Sequence, residues 1–211
     1  MNRKLVAGAL LAVLVLSSGC LGFLLGDTVS VSASKATVGD DTLSQTGYDQ
    51  AKVKKVGIKR TFKAAGQSRD VKVTNWVAQY HKSIGIEGVG EQTVATFTVV
   101  SSPSVSVGKK SFNPLAKFDN RDLVEKFVAG YANVRDVKTV GSKNVTLLGT
   151  ETKVTEFTGT AKTHGVSIDV TIQATKVKHD GDWIVVLAVY PKKLDESDDV
   201  SQLISGVQHD G

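Results

Sequence analysis

Residues 166–190 constrain the fold more than any other part of the sequence. In residues 166–175 apolar and polar side chains alternate, which predicts a strand with one buried and one wet face. Asp180-Gly181 then supplies a turn pair that tolerates the positive φ angles of a tight hairpin. Residues 183–190 are almost continuously apolar, a pattern typical of a strand covered on both faces. The chain must therefore build an antiparallel sheet whose central strand has a layer on each side.

Other strand-like runs extend this sheet. Residues 54–64 and 71–80 predict a hairpin about Ala65-Gly66, and a strand near residues 93–100 follows a glycine-rich loop. Shorter runs near residues 134–140, 144–148 and 151–160 predict three more strands. Hairpin connections of this kind favour antiparallel pairing.

Two amphipathic segments predict helices. Asp119 or Asn120 caps the first, and its apolar positions are Leu123, Val124, Phe127, Val128 and Tyr131. Ser197 caps the second within the acidic run 195–199, and its apolar positions are Val200, Leu203, Ile204 and Val207. The fold class predicted is α+β, with an antiparallel β-sheet packed against two or more helices.

The N-terminus has the anatomy of an export signal. Arg3 and Lys4 precede the apolar residues 5–16, and Ser17-Ser18-Gly19-Cys20 follows. This segment resembles a lipobox, the signature of bacterial and archaeal lipoproteins, which implies that Cys20 is lipidated and is the first mature residue. An uncleaved anchor is the alternative, because residues 5–26 carry no charge and suffice to span about 30 Å of hydrocarbon.

Both interpretations attach the chain to the cell membrane and expose it on the extracytoplasmic side, since Arg3 and Lys4 hold the N-terminal flank inside. The domain organisation predicted has three parts. They are a lipoprotein signal peptide at 1–19, a lipidated Cys20 with a Ser/Thr/Gly-rich tether at 20–47, and a single α+β domain at 48–211.

The order of these elements resembles a known fold. A lipoprotein signal, antiparallel strands, a mid-chain helix, the hairpin about Asp180-Gly181 and a closing helix are similar to the PsbP-like fold, including LpqN-type envelope lipoproteins. Residues 69–76 (RDVKVTNW) and 95–100 (ATFTVV) also resemble an uncharacterised, haloarchaeal-type family of small envelope lipoproteins. The resemblance implies a non-catalytic binding or scaffolding module outside the cytoplasm.

Sequence motifs for catalysis or cofactors are weak. The loop from Gly85 to Gly90 connects two strand-like runs, whereas a phosphate loop opens a helix. The acidic run 195–199 is explained by helix-dipole compensation. The histidines have no partner at metal spacing and are expected to be ordinary surface residues; they are His81, His164, His179 and His209. We therefore expect no catalytic residue, no metal and no cofactor.

Two other functions stay open. A carrier of a lipid or another apolar ligand requires an apolar cavity between residues 183–190 and the helix near Leu123. An unrecognised hydrolase requires a histidine within about 3 Å of a serine or aspartate in a cleft.

The positive charge does not indicate nucleic acid. The net charge is +5, but removing Arg3 and Lys4 with the signal leaves 24 basic side chains against 21 acidic ones. The densest basic run is a solvated strand face or a contact for anionic headgroups, and it contains Lys52, Lys54, Lys55, Lys59, Arg60 and Lys63. Asn144-Val145-Thr146 is a candidate N-glycosylation sequon. The expected partners are the membrane and another envelope protein.

The lipobox generates the first prediction. Wild-type protein should incorporate an acyl-chain label and gain the corresponding mass, whereas Cys20→Ala should lose both, because the thiol is the site of attachment. Intact-mass measurement of membrane fractions checks this. An unchanged mass together with unchanged membrane retention in Cys20→Ala would contradict lipidation.

Overall fold

The computed structural model describes residues 29–64, 67–88, 90–107, 110–111, 113–128, 134–163 and 165–211. The export signal with Cys20 lies outside these residues. The described residues group into two compact units. The first contains residues 29–31 and Gly57–Thr74, and the second contains Ser32–Val56 and the described part of Asn75–Gly211.

Twelve strands and three α-helices occur in the described part of the chain. The first half contains β1 (Val29–Ser32), β2 (Ala36–Val38), α1 (Asp40–Thr46), β3 (Asp49–Ala64), β4 (Gln67–Ile86), β5 (Gly90–Pro103), β6 (Ser106–Val107) and β7 (Lys110–Ser111). The second half contains a 3₁₀ turn (Pro114–Ala116), α2 (Asn120–Leu123), a π-helical turn (Val124–Val128), β8 (Val134–Leu147), β9 (Thr150–Thr163), β10 (Val166–His179), β11 (Asp182–Pro191), α3 (Ser197–Ser205) and β12 (Val207–His209). The α+β class predicted from the sequence is confirmed.

The main sheet has the strand order β1-β4-β5-β11-β10-β9-β8, and β3 also pairs with β4. The pairings of β11 with β5 and β10, of β9 with β10 and β8, and of β4 with β5 are antiparallel. Two small ribbons, β2–β12 and β6–β7, lie outside this sheet. The sequence predicted two strands in residues 134–148, but β8 is one continuous strand. Its pairing with β9 continues through register shifts near Arg135 and Thr139.

β11 lies inside the sheet and is buried on both faces, as predicted. Ile184, Val186 and Ala188 point into the α1–α3 core, the apolar cluster that contains Leu43, Val200 and Leu203. Val185 and Leu187 point into the α2 core, the cluster that contains Leu123, Val124 and Val128. β11 therefore lies between two apolar clusters, one on each face of the sheet.

The prediction of a wet face along β10 is wrong for its second half. Thr171, Gln173 and Thr175 are buried. They pair with β11 residues of the α1–α3 core, such as Ala188 and Val186, so helix α3 covers the same face. Two of their polar groups are bonded inside: Gln173 Nε2 lies 2.9 Å from the Tyr190 hydroxyl, and the Thr175 hydroxyl donates to Lys153 O at 3.1 Å. Gln173 Oε1 is buried without a hydrogen-bond partner.

Turn and cap chemistry follows the sequence closely at two places. Asp180 and Gly181 have φ angles of 42° and 86°, as the predicted hairpin requires. Asp119 caps α2: its carboxylate accepts from Asp122 N at 2.8 Å, and Asp119 N donates to Asp122 Oδ2 at 3.0 Å. The expected core position Tyr131 lies outside the described residues.

The two ends of the domain differ from the expectation. Glu196 occupies the N-cap of α3, so Ser197 is the first helical residue, and Val207 belongs to β12. Part of the expected tether is folded, because β2 and α1 lie before residue 47 and bury Ala36, Val38 and Leu43. The strand at Val207 and the folded part of the tether have one cause, because β12 pairs with β2. No local sequence pattern indicates this contact between distant segments.

Helix α3 generates the second prediction. Leu203 is fully buried in the α1–α3 core, so Leu203→Asp should abolish cooperative folding by placing an unpaired charge there. Even a neutral truncation of a buried leucine costs about 2–5 kcal/mol. Denaturant unfolding followed by circular dichroism measures the effect.

Gln202→Asp is the matched control, because Gln202 is exposed on the same helix. It should unfold near the wild-type midpoint. A Leu203→Asp protein with wild-type stability would refute the packing of α3.

Candidate functional site

The β2–β12 ribbon organises the main candidate site. Ala36, Thr37 and Val38 pair with His209, Gln208 and Val207. Two further backbone bonds extend the pairing, from Gly39 N to Gly206 O at 3.1 Å and from Asp210 N to Lys35 O at 2.9 Å. Val38 N–H donates to the buried Tyr80 hydroxyl at 2.8 Å, which ties the ribbon to β4.

An open cleft of about 760 Å³ lies along this ribbon, between β2, α1, β3 and the segment from Ser205 to Gln208. Most of its lining is polar or charged, with Lys35, Thr37, Asp40, Asp41, Gln50 and Gln208 as the main side chains. Lys35 also forms an ion pair with Asp210 at 3.1 Å. The lining fits a polar ligand or a protein surface better than an apolar molecule.

Two glycines let α1 approach the turn after α3. A side chain at Gly39 would place its Cβ 2.8 Å from Gln208 Nε2, and one at Gly206 would overlap the Thr42 side chain. At these positions the glycine backbone therefore packs directly against the Gln208 and Thr42 side chains.

A histidine–aspartate cluster lies at the end of the same ribbon. Asp182 is buried and its Oδ2 accepts from Ser34 N at 2.7 Å and from the Ser101 hydroxyl at 3.4 Å. His209 Nε2 lies 3.0 Å from this oxygen, and the His209 side chain is 0% exposed. The expectation that His209 is an ordinary surface residue is wrong, because β12 carries it into contact with the first residue of β11.

His179 completes the cluster from the end of β10. Its ring centroid lies 5.6 Å from that of His209, and its Nε2 lies 3.1 Å from Asp180 Oδ2. His209 Nδ1 is buried and has no hydrogen-bond partner. Of the residues that the structure describes, His179, Asp180 and His209 form the set that can hold a metal ion, with one ligand atom from each within 4.8 Å of the others.

The cluster meets the distance expected for a hydrolase but differs from one in its connections. The Ser101 hydroxyl donates to Asp182 rather than to a histidine nitrogen, and the His209 ring is fully enclosed. A serine nucleophile needs a histidine or another base that accepts its proton, whereas the Ser101 hydroxyl bonds to the buried Asp182.

A second polar cluster fixes helix α3 to the sheet. Lys82 Nζ bridges Glu196 Oε1 at 2.9 Å and Asp199 Oδ2 at 2.8 Å, and the buried Tyr48 hydroxyl donates to Glu196 Oε2 at 3.2 Å. Burial alone would lower the pKa of Lys82, but hydrogen bonds to Asp199 and Glu196 outweigh it and raise that pKa. The acidic run 195–199, which helix-dipole compensation explains from the sequence alone, thus also binds the Lys82 ammonium group. No local sequence pattern indicates this contact.

Burial is the main cause of the raised pKa values of the tyrosines around this cluster. It raises the pKa of Tyr48 far above the ordinary value, and the neighbouring Glu196 adds to the effect. Burial, with Glu156 nearby, raises the pKa of Tyr190 to about 12. These hydroxyls therefore stay protonated in the folded chain when exposed tyrosines ionise.

Some side chains of the basic run on β3 contact other side chains of the protein. Lys52, Lys54 and Lys55 are exposed, and Lys55 Nζ lies 5.0 Å from the centre of the Trp76 ring. Lys59 forms an ion pair with Asp70 at 2.8 Å. The side chains of Arg60 and Lys63 lie outside the description, and headgroup contact by the run stays a prediction.

Two other sequence features are placed by the structure. Asn144 is exposed on β8, as a sequon requires, and its Nδ2 donates to Glu151 Oε1 at 3.0 Å. The glycine-rich segment closes the β4–β5 hairpin: Gly85 and Ile86 end β4, Gly90 begins β5, and Ile86 pairs with Gly90. Glycosylation of Asn144 and lipidation of Cys20 stay predictions.

The fold and the cleft together define a class: an α+β domain with a mainly antiparallel sheet and a polar surface cleft at one ribbon. Residues 35–208 match the family model described as "Domain of unknown function (DUF6517)", and the chain belongs to this family. No curated protein matches the sequence.

Solved structures show a distant similarity. One of them is LpqN, involved in cell envelope biogenesis of Mycobacterium tuberculosis, at 10% identity and a TM-score of 0.29, covering 74% of this chain and 91% of LpqN. The PsbP-like detail of the expected fold is not confirmed by this similarity. None of the helices in the described part of the chain is long and apolar enough to cross a membrane.

Tyr48 generates the third prediction. Its pKa is raised on folding, so the stability it contributes is complete below the unfolded value near 10 and is lost as the pH rises beyond it. The limiting loss is about 1.4 kcal/mol per pH unit for each such group. Denaturant unfolding between pH 8 and 11.5 should show a stability decline above about pH 10 that is less steep in Tyr48→Phe.

The region from pH 8 to 9 serves as the internal reference, because it lies below the ordinary tyrosine pKa near 10 and folding raises the pKa of Tyr48 further. Identical slopes above pH 10 in wild type and Tyr48→Phe would show that Tyr48 ionises equally in both states.

Proposed function

We propose that this protein is a membrane-anchored extracytoplasmic lipoprotein whose folded part is a non-catalytic binding or scaffolding module for another envelope protein. Cys20 is its lipid attachment site, and the folded part lies on the outer side of the membrane. The PsbP-like arrangement and the archaeal type of family, both implied by sequence resemblance, belong to the same proposal.

The observation that carries the binding role is the polar cleft along the β2–β12 ribbon. Asp40 and Asp41 form its rim at the first turn of α1, a helix with no basic residue in its last turn. A partner with a basic, polar surface segment complements this rim. The cleft is open, so it suits a protein surface that docks from solvent.

The packing of the α2 core favours this role over an apolar carrier. Leu123 and Val124 of α2 lie in one apolar cluster with Val185 and Leu187 of β11, and all four are at most 6% exposed. A carrier needs open apolar volume at this interface, whereas these side chains fill it with each other.

The buried histidine cluster favours binding over hydrolysis for a related reason. His209 is enclosed, and the nearby Ser101 hydroxyl is committed to Asp182. A catalytic base has to contact the substrate. The His209 ring is enclosed and no hydroxyl bonds to its free Nδ1, so His209 is poorly suited to act as a base.

Site-specific photo-crosslinking in intact cells tests the proposal. A photoreactive residue at Asp41, which is exposed and lines the cleft, should give one dominant protein adduct that mass spectrometry identifies. The same residue at Glu87, exposed in the β4–β5 turn, is the matched acidic control and should not give that adduct.

The outcomes separate the binding module from the carrier. A partner-specific adduct from Asp41 alone supports the binding module. A lipid adduct would favour the carrier. Equal adducts from both positions, or none from either, would contradict a docking role for the cleft.

A further inference from the structure

The end of the β2–β12 ribbon combines features that docking of a partner at the cleft does not require. Two imidazoles and one carboxylate, from His179, Asp180 and His209, converge within 4.8 Å. One of the imidazoles is fully enclosed and has a nitrogen without any partner. We propose that these three residues bind a borderline divalent transition-metal ion, with Zn²⁺ as the probe.

The tautomer of His209 follows from its partner. Asp182 Oδ2 already accepts from a backbone N–H and a serine hydroxyl, and a carboxylate oxygen only accepts. Nε2 of His209, at 3.0 Å, must therefore carry the hydrogen, which leaves the lone pair of the neutral ring on Nδ1. A histidine whose second nitrogen donates to a carboxylate is the usual form of a metal ligand, because the carboxylate fixes the ring and increases its basicity.

Nδ1 faces the side of the cluster where Asp180 lies. The position of a Cβ on Gly211 would be 3.0 Å from His209 Nδ1 and 2.9 Å from Asp180 Cβ. The unpartnered nitrogen and the Asp180 side chain therefore both lie next to Gly211, which has no side chain to separate them. Leaving this nitrogen buried without a partner costs free energy that an ion would recover.

The other two ligands are accessible and movable. The side chains of His179 and Asp180 are 31% and 59% exposed, and they end β10 and begin its turn. Their present contact at 3.1 Å resembles the separation of about 3.3 Å between two ligands of a tetrahedral zinc ion. An ion can thus enter from the turn and take both side chains with small rotations, while His209 stays fixed.

The ligand set selects the class of metal. Imidazole nitrogen suits zinc, copper, iron and nickel, whereas calcium and magnesium prefer sites built from oxygen. Three protein ligands leave one tetrahedral position for water or for a group on a partner. The ion would join the β10–β11 turn to β12 and so hold the ribbon in place.

Titration calorimetry on the metal-free, untagged full chain in detergent tests this site. Wild type should bind Zn²⁺ at one or more sites, and one of these sites should be lost in His179→Ala and in Asp180→Ala. Ca²⁺ should not fill that site. Each substitution should weaken the site by at least about 10-fold. Zn²⁺ should also raise the melting temperature of wild type, since the ion binds the folded chain.

His81→Ala is the control, because His81 is a half-buried histidine of β4 outside the cluster. It should bind Zn²⁺ as wild type does. Both test variants change accessible side chains, so their folding can be verified by circular dichroism. Equal Zn²⁺ binding by wild type and the folded His179→Ala and Asp180→Ala variants, or no Zn²⁺ binding by wild type, would overturn the proposal.

Discussion

The pairing of β2 with β12 is the contact on which the described sites depend. It joins Ala36–Val38 to Val207–His209 through three residue pairs and two flanking backbone bonds. A two-stranded ribbon of this length is not stable alone. It persists because Val38 and Val207 are buried in the α1–α3 core and because Tyr80 accepts the Val38 N–H bond.

Both candidate sites are consequences of this pairing. The cleft lies on one side of the ribbon, where Gly39 and Gly206 allow close backbone packing. The histidine cluster lies at its end, where β12 delivers His209 to Asp182. The Lys82–Glu196–Asp199 cluster also stabilises the β2–β12 pairing, because it fixes the start of α3, the helix that leads into β12.

Local chemistry explains which parts of the fold were predictable from the sequence. The Asp180-Gly181 turn, the Asp119 cap and the double burial of β11 each follow from neighbouring residues. The burial of Thr171, Gln173 and Thr175 does not, because helix α3 covers them from a distant part of the chain. Polar residues in a strand predict a solvent-facing side until their hydrogen-bond partners in the fold, such as Tyr190 for Gln173, are known.

The candidate sites were less predictable for the same reason. Asp182 bonds Ser34 across 148 positions, and Lys82 bonds Glu196 across 114. His179 and His209 are thirty positions apart with no metal spacing between them, yet the ribbon brings their rings to 5.6 Å. Composition and periodicity record none of these contacts.

Long-range ¹H–¹⁵N NMR of the histidine side chains tests the central claim most directly, because it reports the environment that the ribbon gives His209. The account predicts that, in the metal-free full chain near pH 8, His209 carries its hydrogen on Nε2, keeps Nδ1 unprotonated and shows a nuclear Overhauser contact to His179. A His209 signal with averaged, solvent-exposed character and no contact to His179 would contradict it.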